Sequence, residues 1–363
     1  MNKSLKIISV VAVVAIIAAS AAGYSYFANN SVGNKSKSSA LTPVYNVKVA
    51  EANGSVVNFN LSSVGGYAYV PSSNGTWYLN STLSRIVTLI PSVTATLYAL
   101  HAYSDVVGVD QYSTYPTPTK NVTVFNVQVG SLPIESITNL TPDMVVDTTG
   151  TFSTQQLNQL VNVLHIPYLV LNPGNISQIE NQNSVLGYLT NTSNNAGVIN
   201  GWMNANLNNL SKDLSNISTA SEKTVFYYLY PASGGVYTVG PGSFVNNEMQ
   251  IAHLKNVVNI SGYPSVTSSF VINASPEYVL LDQYVNESTL NQTIPGLNAT
   301  KNGTVVNVAN DTFFTEPNFR IIYSIYWLAQ QFYPNNVNLT DVINFNNFTH
   351  LGLAQNPETG VNS

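Results

Sequence analysis

Three tyrosines and a serine stand at or near the ends of short apolar runs, where a folded chain could use them to hold a ligand. Val106–Val109 leads directly into Tyr112 in "VGVDQYSTYP", Tyr237 follows "SGGV", and Tyr263 follows "NVVNISG". A tyrosine ring offers an apolar π face with a polar tip, and open α/β sheets bind ligands outside the carboxyl ends of their strands. Ser92, in "IPSV", adds a hydroxyl beside the free N–H groups of a helix start, a place that accepts polar or anionic groups. Ordinary packing competes with each reading. The chain has 22 tyrosines to place, and Ser92 could simply cap a helix.

Catalytic chemistry finds less support. His101, His165, His253 and His350 are scattered, and no HExxH, GxSxG or P-loop pattern occurs. With no cysteine there are no disulfides, thiolate metal sites, cysteine nucleophiles or lipidated-cysteine anchor. No His-rich loop marks a metal site. The expectation is a protein without catalytic residues, metal ligands or a cofactor.

Composition narrows the partners. Of 363 residues, 44% are hydrophobic and only 8% charged, against about 25% charged in ordinary soluble domains. Twelve Lys and Arg against 17 Asp and Glu leave no basic stripe, which excludes nucleic acid. Asn, Ser, Thr, Gln and Tyr must supply the surface polarity, and such groups stay hydrated in acid where carboxylates lose their charge near pH 4. From Asn29 onward, twenty-one N-x-S/T sequons, Asn121, Asn259 and Asn302 among them, fit a glycosylated outer surface.

Lys3 and Lys6 precede "IISVVAVVAIIAASAAGYSYF", about 21 residues that would rise about 32 Å as a helix, enough for a bilayer core. Residues 1–28 are expected to form a signal anchor or signal peptide; "ASA" at 19–21 would serve as a cleavage site, and Tyr24, Tyr26 and Phe27 as an interfacial belt. The chain is thus placed at the cell surface, on the outer face of the cytoplasmic membrane. Residues 29–43 read as a polar linker and 44–84 as an N-terminal hairpin region around Asn53-Gly54.

From Arg85 strand and helix patterns alternate: "RIVTLI", "PSVTATLYAL", "VVGV", "PIESITNL", "DMVVDT", "STQQLNQLVNVL", "YLVL". Such alternation predicts a mainly parallel sheet with helices on its faces. Met203, Leu207, Leu210 and Leu214 form a helical stripe within 194–216, after which the alternation resumes through "TVFYYLY", "SFVNNEMQIAHL", "NVVN", "VTSSFVINA", "EYVLLD" and "TVVNVA" to a last helix in "EPNFRIIYSIYWLAQQFY". Lobe 1 is expected over 85–193, an interlobe helix over 194–216, lobe 2 over 217–335 and a C-terminal tail over 336–363. An internal echo supports two lobes. "ESITNLTPDMVVD" and "SFVINASPEYVLLD" place Pro276 on Pro142, Glu277 on Asp143 and Ser269 on Glu135.

With "RIVTLIPSVTATLYAL", "VVGVDQYSTYP", "LTPDMVVD" and "VYTVGPGSFVNNEMQIA", the chain resembles the cobalamin and iron-siderophore binding proteins of ABC importers over about residues 45–335. The resemblance implies two Rossmann-like lobes joined by a long backbone helix, the class III periplasmic-binding-protein arrangement. It also implies a cobalamin, ferric siderophore or similar chelate held in an interlobe cleft, and partners in an ABC permease and its ATPase subunits. By the same likeness Ser92, Tyr112, Tyr237, Tyr263, Glu316 and Arg320 would line the cleft, and Glu135 would dock on the permease. Val129 and Thr148 stand where that family carries aromatic residues, and Ser269 where it carries a second docking glutamate. A structural or adhesive surface glycoprotein on the same fold, and a surface hydrolase built from dispersed Asp and Glu, are the competing readings.

Overall fold

Short runs of β-branched residues that are buried on both faces make parallel strands, and "IVT" (86–88) and "MVVD" (144–147) are such runs. The computed structural model describes residues 41–50, 55–71, 75–79, 82–128, 130–148, 150–308 and 314–349. These divide into an N-terminal unit of residues 41–173 with 177–200, and a C-terminal unit of 174–176 with 201–349. Residues 1–28 and the Asn53-Gly54 turn lie outside the described residues. Among the described residues, no helix is long and apolar enough to cross a membrane.

In the N-terminal unit, β1 (Asn46–Ala50) pairs antiparallel with β2 (Val56–Asn60). β1 is also joined, in parallel, by β4 (Thr76–Leu79), whereas β3 (Tyr67–Tyr69) pairs elsewhere. The main sheet has six strands in the order β3-β9-β8-β5-β6-β7, with β5 (Ile86–Thr88), β6 (Val106–Asp110), β7 (Thr123–Phe125), β8 (Met144–Asp147) and β9 (Tyr168–Val170). All of its pairings are parallel except the one made by β3. Gly108 is required inside β6, because a Cβ there would lie 2.5 Å from Cε2 of Phe125 on β7.

Helices α1 (Pro91–Ala99), α2 (Ile134–Asn139), α3 (Thr154–Val163, whose last five residues form a π-helical turn) and α4 (Ile176–Leu189) belong with this unit, the first residue of α4 excepted. Pro91 opens α1 at a position where its missing N–H costs nothing. Ser153 and Gln156 close a reciprocal capping box on α3.

Helix α5 (Ser193–Asp213) contains the division between the units, at residue 200. The C-terminal unit is built on a four-stranded parallel sheet in the order β13-β10-β15-β16. Its strands are β10 (Lys223–Tyr228), β13 (Leu254–Asn256), β15 (Tyr278–Leu281) and β16 (Val305–Asn307). A small antiparallel sheet joins β11 (Tyr230–Ala232), β12 (Gly235–Tyr237) and β14 (Ser265–Val266). Helices α6 (Phe244–Ile251), α7 (Ser268–Ala274), α8 (Glu287–Thr293), α9 (Asn298–Lys301) and α10 (Ile321–Phe332) surround these strands in sequence. After α10 the chain packs back through a final turn, α11 (Phe345–Thr349). Phe345 is fully buried, edge-on to Trp202 of α5 at 5.0 Å, and the Trp202 Nε1–H donates to the Ile343 carbonyl at 2.6 Å.

The two units share a strand order, β6-β5-β8-β9 in one and β13-β10-β15-β16 in the other. The sequence echo has the same local structure in both. Asp143 Oδ2 accepts the N–H groups of Ser84 and Arg85 at 2.8 and 2.9 Å, fixing the start of β5; Glu277 Oε2 accepts the Thr224 N–H at 2.8 Å at the start of β10. Thr141 and Ser275, each just before the shared proline, both turn left-handed at φ 45°.

Candidate functional site

At the carboxyl end of the N-terminal sheet, β8, β5 and β6 finish side by side on Asp147, Thr88 and Asp110, all buried. Their side chains form two networks. Thr94 Oγ1 donates to Thr88 Oγ1 at 3.3 Å and meets Ser113 Oγ at 2.9 Å, and the Ser113 hydroxyl donates to Asp110 Oδ1. Asp147 accepts the Tyr168 hydroxyl and the Thr148 N–H, each at 2.7 Å. Desolvation pushes Asp110 up to about 6 and Asp147 up to about 7 against the pull of these hydrogen bonds, with Asp110 adding a smaller electrostatic push on Asp147.

Tyr112 sits two residues beyond Asp110 in a turn that is held twice. Its N–H donates to Asp110 Oδ2 at 3.3 Å. The Gln111 amide also pairs like a strand with Val127, donating to its carbonyl and accepting its N–H, both at 2.8 Å. The turn thus presents a half-buried Tyr112 at the sheet edge. Tyr115 is packed edge-on to Tyr98 with centroids 5.6 Å apart, and its bond to Pro116 is cis.

Ser92 is not the helix cap. Ile90 holds that position without a side-chain bond, Pro91 follows, and Ser92 is the second helical residue. Its hydroxyl is buried and has no partner, so a polar group is left unsatisfied at the sheet edge. Val129 lies outside the described residues, and Thr148 is partly buried beside Asp147.

The three described histidines have a structural role. His101, His165 and His253 all adopt left-handed φ of 56–63° directly after the helices α1, α3 and α6, a stop conformation in which His is enriched over most residues. Replacing His101 and His165 together by Asn should leave ligand binding unchanged and stability within about 1 kcal/mol, checked by titration and melting of the double variant. Among the described residues no group of three His, Asp or Glu could hold a metal ion.

In the C-terminal unit Tyr237, on β12, stacks on Tyr230 with centroids 4.6 Å apart and planes 28° apart. Tyr263 is partly exposed, but its hydroxyl is buried without a partner; burial, then the nearby Glu248 carboxyl, raises its pKa. Glu248 is fully buried on α6, accepts the Ser324 hydroxyl at 2.7 Å, and is pushed well above the usual carboxylate range by desolvation. Arg320 precedes α10, is 4% exposed, and donates from Nη2 to Glu316 Oε2 at 2.7 Å. It is therefore a buried ion pair and not a free surface charge. Asp282, after β15, is buried and pushed up to about 6 by desolvation.

The sequence reading missed Asp110, Asp147, Asp282 and Glu248. Three of them carried a signal, an apolar run ending in aspartate in "VGVD", "MVVD" and "VLLD". Of the docking positions, Glu135 is exposed in the first turn of α2 and Ser269 is exposed at the matching place on α7.

Residues 86–311 match the sequence profile of a periplasmic binding protein family, more than half of the chain. The chain belongs to this family. It is 26% identical over 258 residues to an uncharacterized ABC transporter substrate-binding lipoprotein, YvrC, of Bacillus subtilis, covering 69% of this chain and 80% of that one. A cobalamin-binding protein of Halobacterium salinarum is 25% identical over 214 residues, 58% of this chain, and this chain spans just over half, 56%, of its length. The periplasmic heme-binding protein RhuT of Roseiflexus, at 18% identity, shares the fold with a TM-score of 0.60 over 70% of this chain and 99% of its own. The periplasmic-binding-protein α/β fold expected from the motif order is thus the fold of this chain, and the matched relatives are named as binding proteins.

Proposed function

We propose that this periplasmic-binding-protein family member is the extracytoplasmic solute-binding component of an ABC importer. It captures a cobalamin or ferric-chelate ligand between its two Rossmann-like lobes, with α5 as the rigid connection, and hands it to a permease driven by ATPase subunits. The observation that carries this reading is Tyr112, whose ring is set at the carboxyl end of β6 by a turn locked through both Asp110 and Gln111. Each unit also has a buried hydroxyl short of a partner, Ser92 Oγ in the N-terminal unit and Tyr263 Oη in the C-terminal unit. A few fixed polar groups beside aromatic faces suit a large ligand with an apolar body and a polar rim. Tyr237, Glu316 and Arg320 complete the proposed set, and no residue of it is assigned a catalytic role.

The 363 residues contain no cysteine to lipidate; the hydrophobic segment at 1–28, as signal anchor or signal peptide, brings the protein to the outer face of the membrane. Glu135 is the docking residue of lobe 1. Docking at Ser269 proceeds without an ion pair.

Titration of the purified protein with hydroxocobalamin, hemin and a ferric hydroxamate siderophore, followed by visible absorption and melting temperature, tests this. One of them should bind saturably, 1:1 and unaltered, and raise the melting temperature. Failure of all three removes the ligand class. Tyr112→Ala should weaken the bound probe at least tenfold, about 1.4 kcal/mol; unchanged affinity would return Tyr112 to a packing role.

A further inference from the structure

The chain contains the tripeptide Asp-Gln-Tyr twice, as Asp110-Gln111-Tyr112 and as Asp282-Gln283-Tyr284, and the two copies fold the same way in different units. Each aspartate ends a parallel strand at its carboxyl end: Asp110 is the last residue of β6, and Asp282 follows β15 with its N–H still bonded to the Tyr228 carbonyl of β10 at 3.1 Å. Each carboxylate accepts the N–H of the tyrosine two residues on, at 3.3 Å in the first copy and 3.1 Å in the second. Each aspartate carbonyl also accepts the N–H three residues on, from Ser113 at 3.3 Å and from Val285 at 2.9 Å.

The element is a four-residue β-turn with aspartate first, its carboxylate doubling the turn. The flanking residues repeat a burial pattern as well. Asp110 and Ser113 are buried around half-buried Gln111 and Tyr112, and Asp282 and Val285 are buried around exposed Gln283 and Tyr284.

In both copies the buried ends anchor the turn while the tyrosine is carried outward at the edge of the sheet. Tyr284 is 42% exposed, a large ring left in contact with solvent at the strand end of its own sheet. The two copies do not sit on equivalent strands of the shared order, since β6 corresponds to β13 and β15 to β8. The repetition of turn, sequence and exposure is therefore not explained by the common lobe plan alone.

We infer that Tyr284 is a ligand-contacting residue of the C-terminal unit, the counterpart of Tyr112 in the N-terminal unit, each ring presented by an aspartate-locked turn at a strand's carboxyl end. The inference rests on the proposed solute-binding function and adds a second aromatic contact to it. A ligand with two extended flat or apolar faces, a metal macrocycle more than a small oxyanion, is the chemistry that two such rings favour.

The experiment compares wild type, Tyr112→Ala, Tyr284→Ala and Tyr284→Phe in titrations with hydroxocobalamin and hemin, with melting temperatures recorded for all four. Tyr284→Ala should weaken whichever probe the wild type binds by about tenfold with its melting temperature nearly unchanged, and Tyr284→Phe should keep affinity within about threefold, because the ring and not the hydroxyl makes the contact. Wild-type affinity in Tyr284→Ala alongside a loss in Tyr112→Ala would overturn the inference while the transport reading stands. If the wild type binds neither macrocycle, that ligand class fails and the inference fails with it.

Discussion

The melting temperature is expected to fall as the pH is raised from 4 to 7.5, by on the order of 10 °C. Four carboxyl groups drive this: Asp110, Asp147 and Glu248, and Asp282 in the same state of burial. None of the four lies within ion-pair distance of a Lys, Arg or His among the described residues, whose salt bridges are Lys223–Glu277, His253–Glu222 and Arg320–Glu316. Hydroxyls and backbone N–H groups face them instead: Ser113 and the Tyr112 N–H at Asp110, Tyr168, Thr151 and the Thr148 N–H at Asp147, Tyr227 and the Tyr284 N–H at Asp282, and Ser324 with Tyr263 near Glu248. A buried carboxylate without a cation costs free energy that its neutral form does not.

The sign follows from which state holds more protons. The folded-state pKa values are raised, so between about pH 4 and pH 7 the folded protein binds protons that the unfolded chain has released, and stability decreases with rising pH across that window. Below pH 4 both states are protonated and the loss is absent; above the folded-state values it is complete. For Asp147 alone, a rise from 3.8 to about 7 corresponds to about 4 kcal/mol. Asp110 and Asp147 repel each other, so their contributions do not simply add. The exposed Lys223–Glu277 pair, at 3.9 Å, loses under about 1 kcal/mol in acid and does not reverse the trend.

Melting curves from pH 3 to 8 on the wild type and on Asp147→Asn check this. The Asn variant keeps the fold, because the Tyr168 hydroxyl can either donate to or accept from the amide, and its melting temperature should drop less than the wild type's between pH 4.5 and pH 7.5, the remaining fall belonging to Asp110, Asp282 and Glu248. A wild-type melting temperature that is flat or rising over that window would refute the assignment. The trend agrees with a chain of which only 8% of the residues are charged.

The alternation of strands and helices was legible because each apolar run is short and bounded by a breaker. "RIVTLI", "DMVVDT" and "EYVLLD" became β5, β8 and β15 near their expected places. One strand shifted. "NVVN" was read as a strand, but β13 is Leu254–Asn256, because His253 turns left-handed and ends α6 early enough for the strand to start at once.

Helix α4 was not read, since Ile179, Val185, Leu186 and Leu189 sit among Asn, Gln and Ser that favour loops and caps in isolation. Only tertiary packing makes them a buried face. At the candidate site, the rings of Tyr112 and Tyr237 were visible as residue types at strand ends. The carboxyl beside Tyr112 was not singled out: Asp110 closes the apolar run "VGVD", but the run by itself does not tell that the carboxyl will be desolvated. For Arg320 the i,i+4 spacing from Glu316 was visible and the burial of the pair was not.

That burial gives the second large effect. Arg320→Ala should destabilise the C-terminal unit by about 3 kcal/mol at pH 7, because removing one partner strands the other's charge in a poorly hydrated place. The Glu316 side chain is 17% exposed and Arg320's 5%. Without the guanidinium, the Glu316 carboxylate retains the Asn318 amide at 3.4 Å, a weak substitute. Arg320 also ties down its own loop, its N–H donating to Asn318 Oδ1 at 2.9 Å and its Nε to the same oxygen at 3.4 Å, so the planar fork serves two acceptors at once. Lysine brings a single compact charge and no fork, and Arg320→Lys should fall between wild type and Arg320→Ala. The double variant Glu316→Gln/Arg320→Ala should recover part of the loss, since no charge is then left unpaired, giving a coupling above about 1 kcal/mol in the cycle. Chemical denaturation of the four proteins at pH 7 measures it. A loss under about 1 kcal/mol for Arg320→Ala would mean that water reaches Glu316 freely, and the pair would then be a surface bridge of little weight.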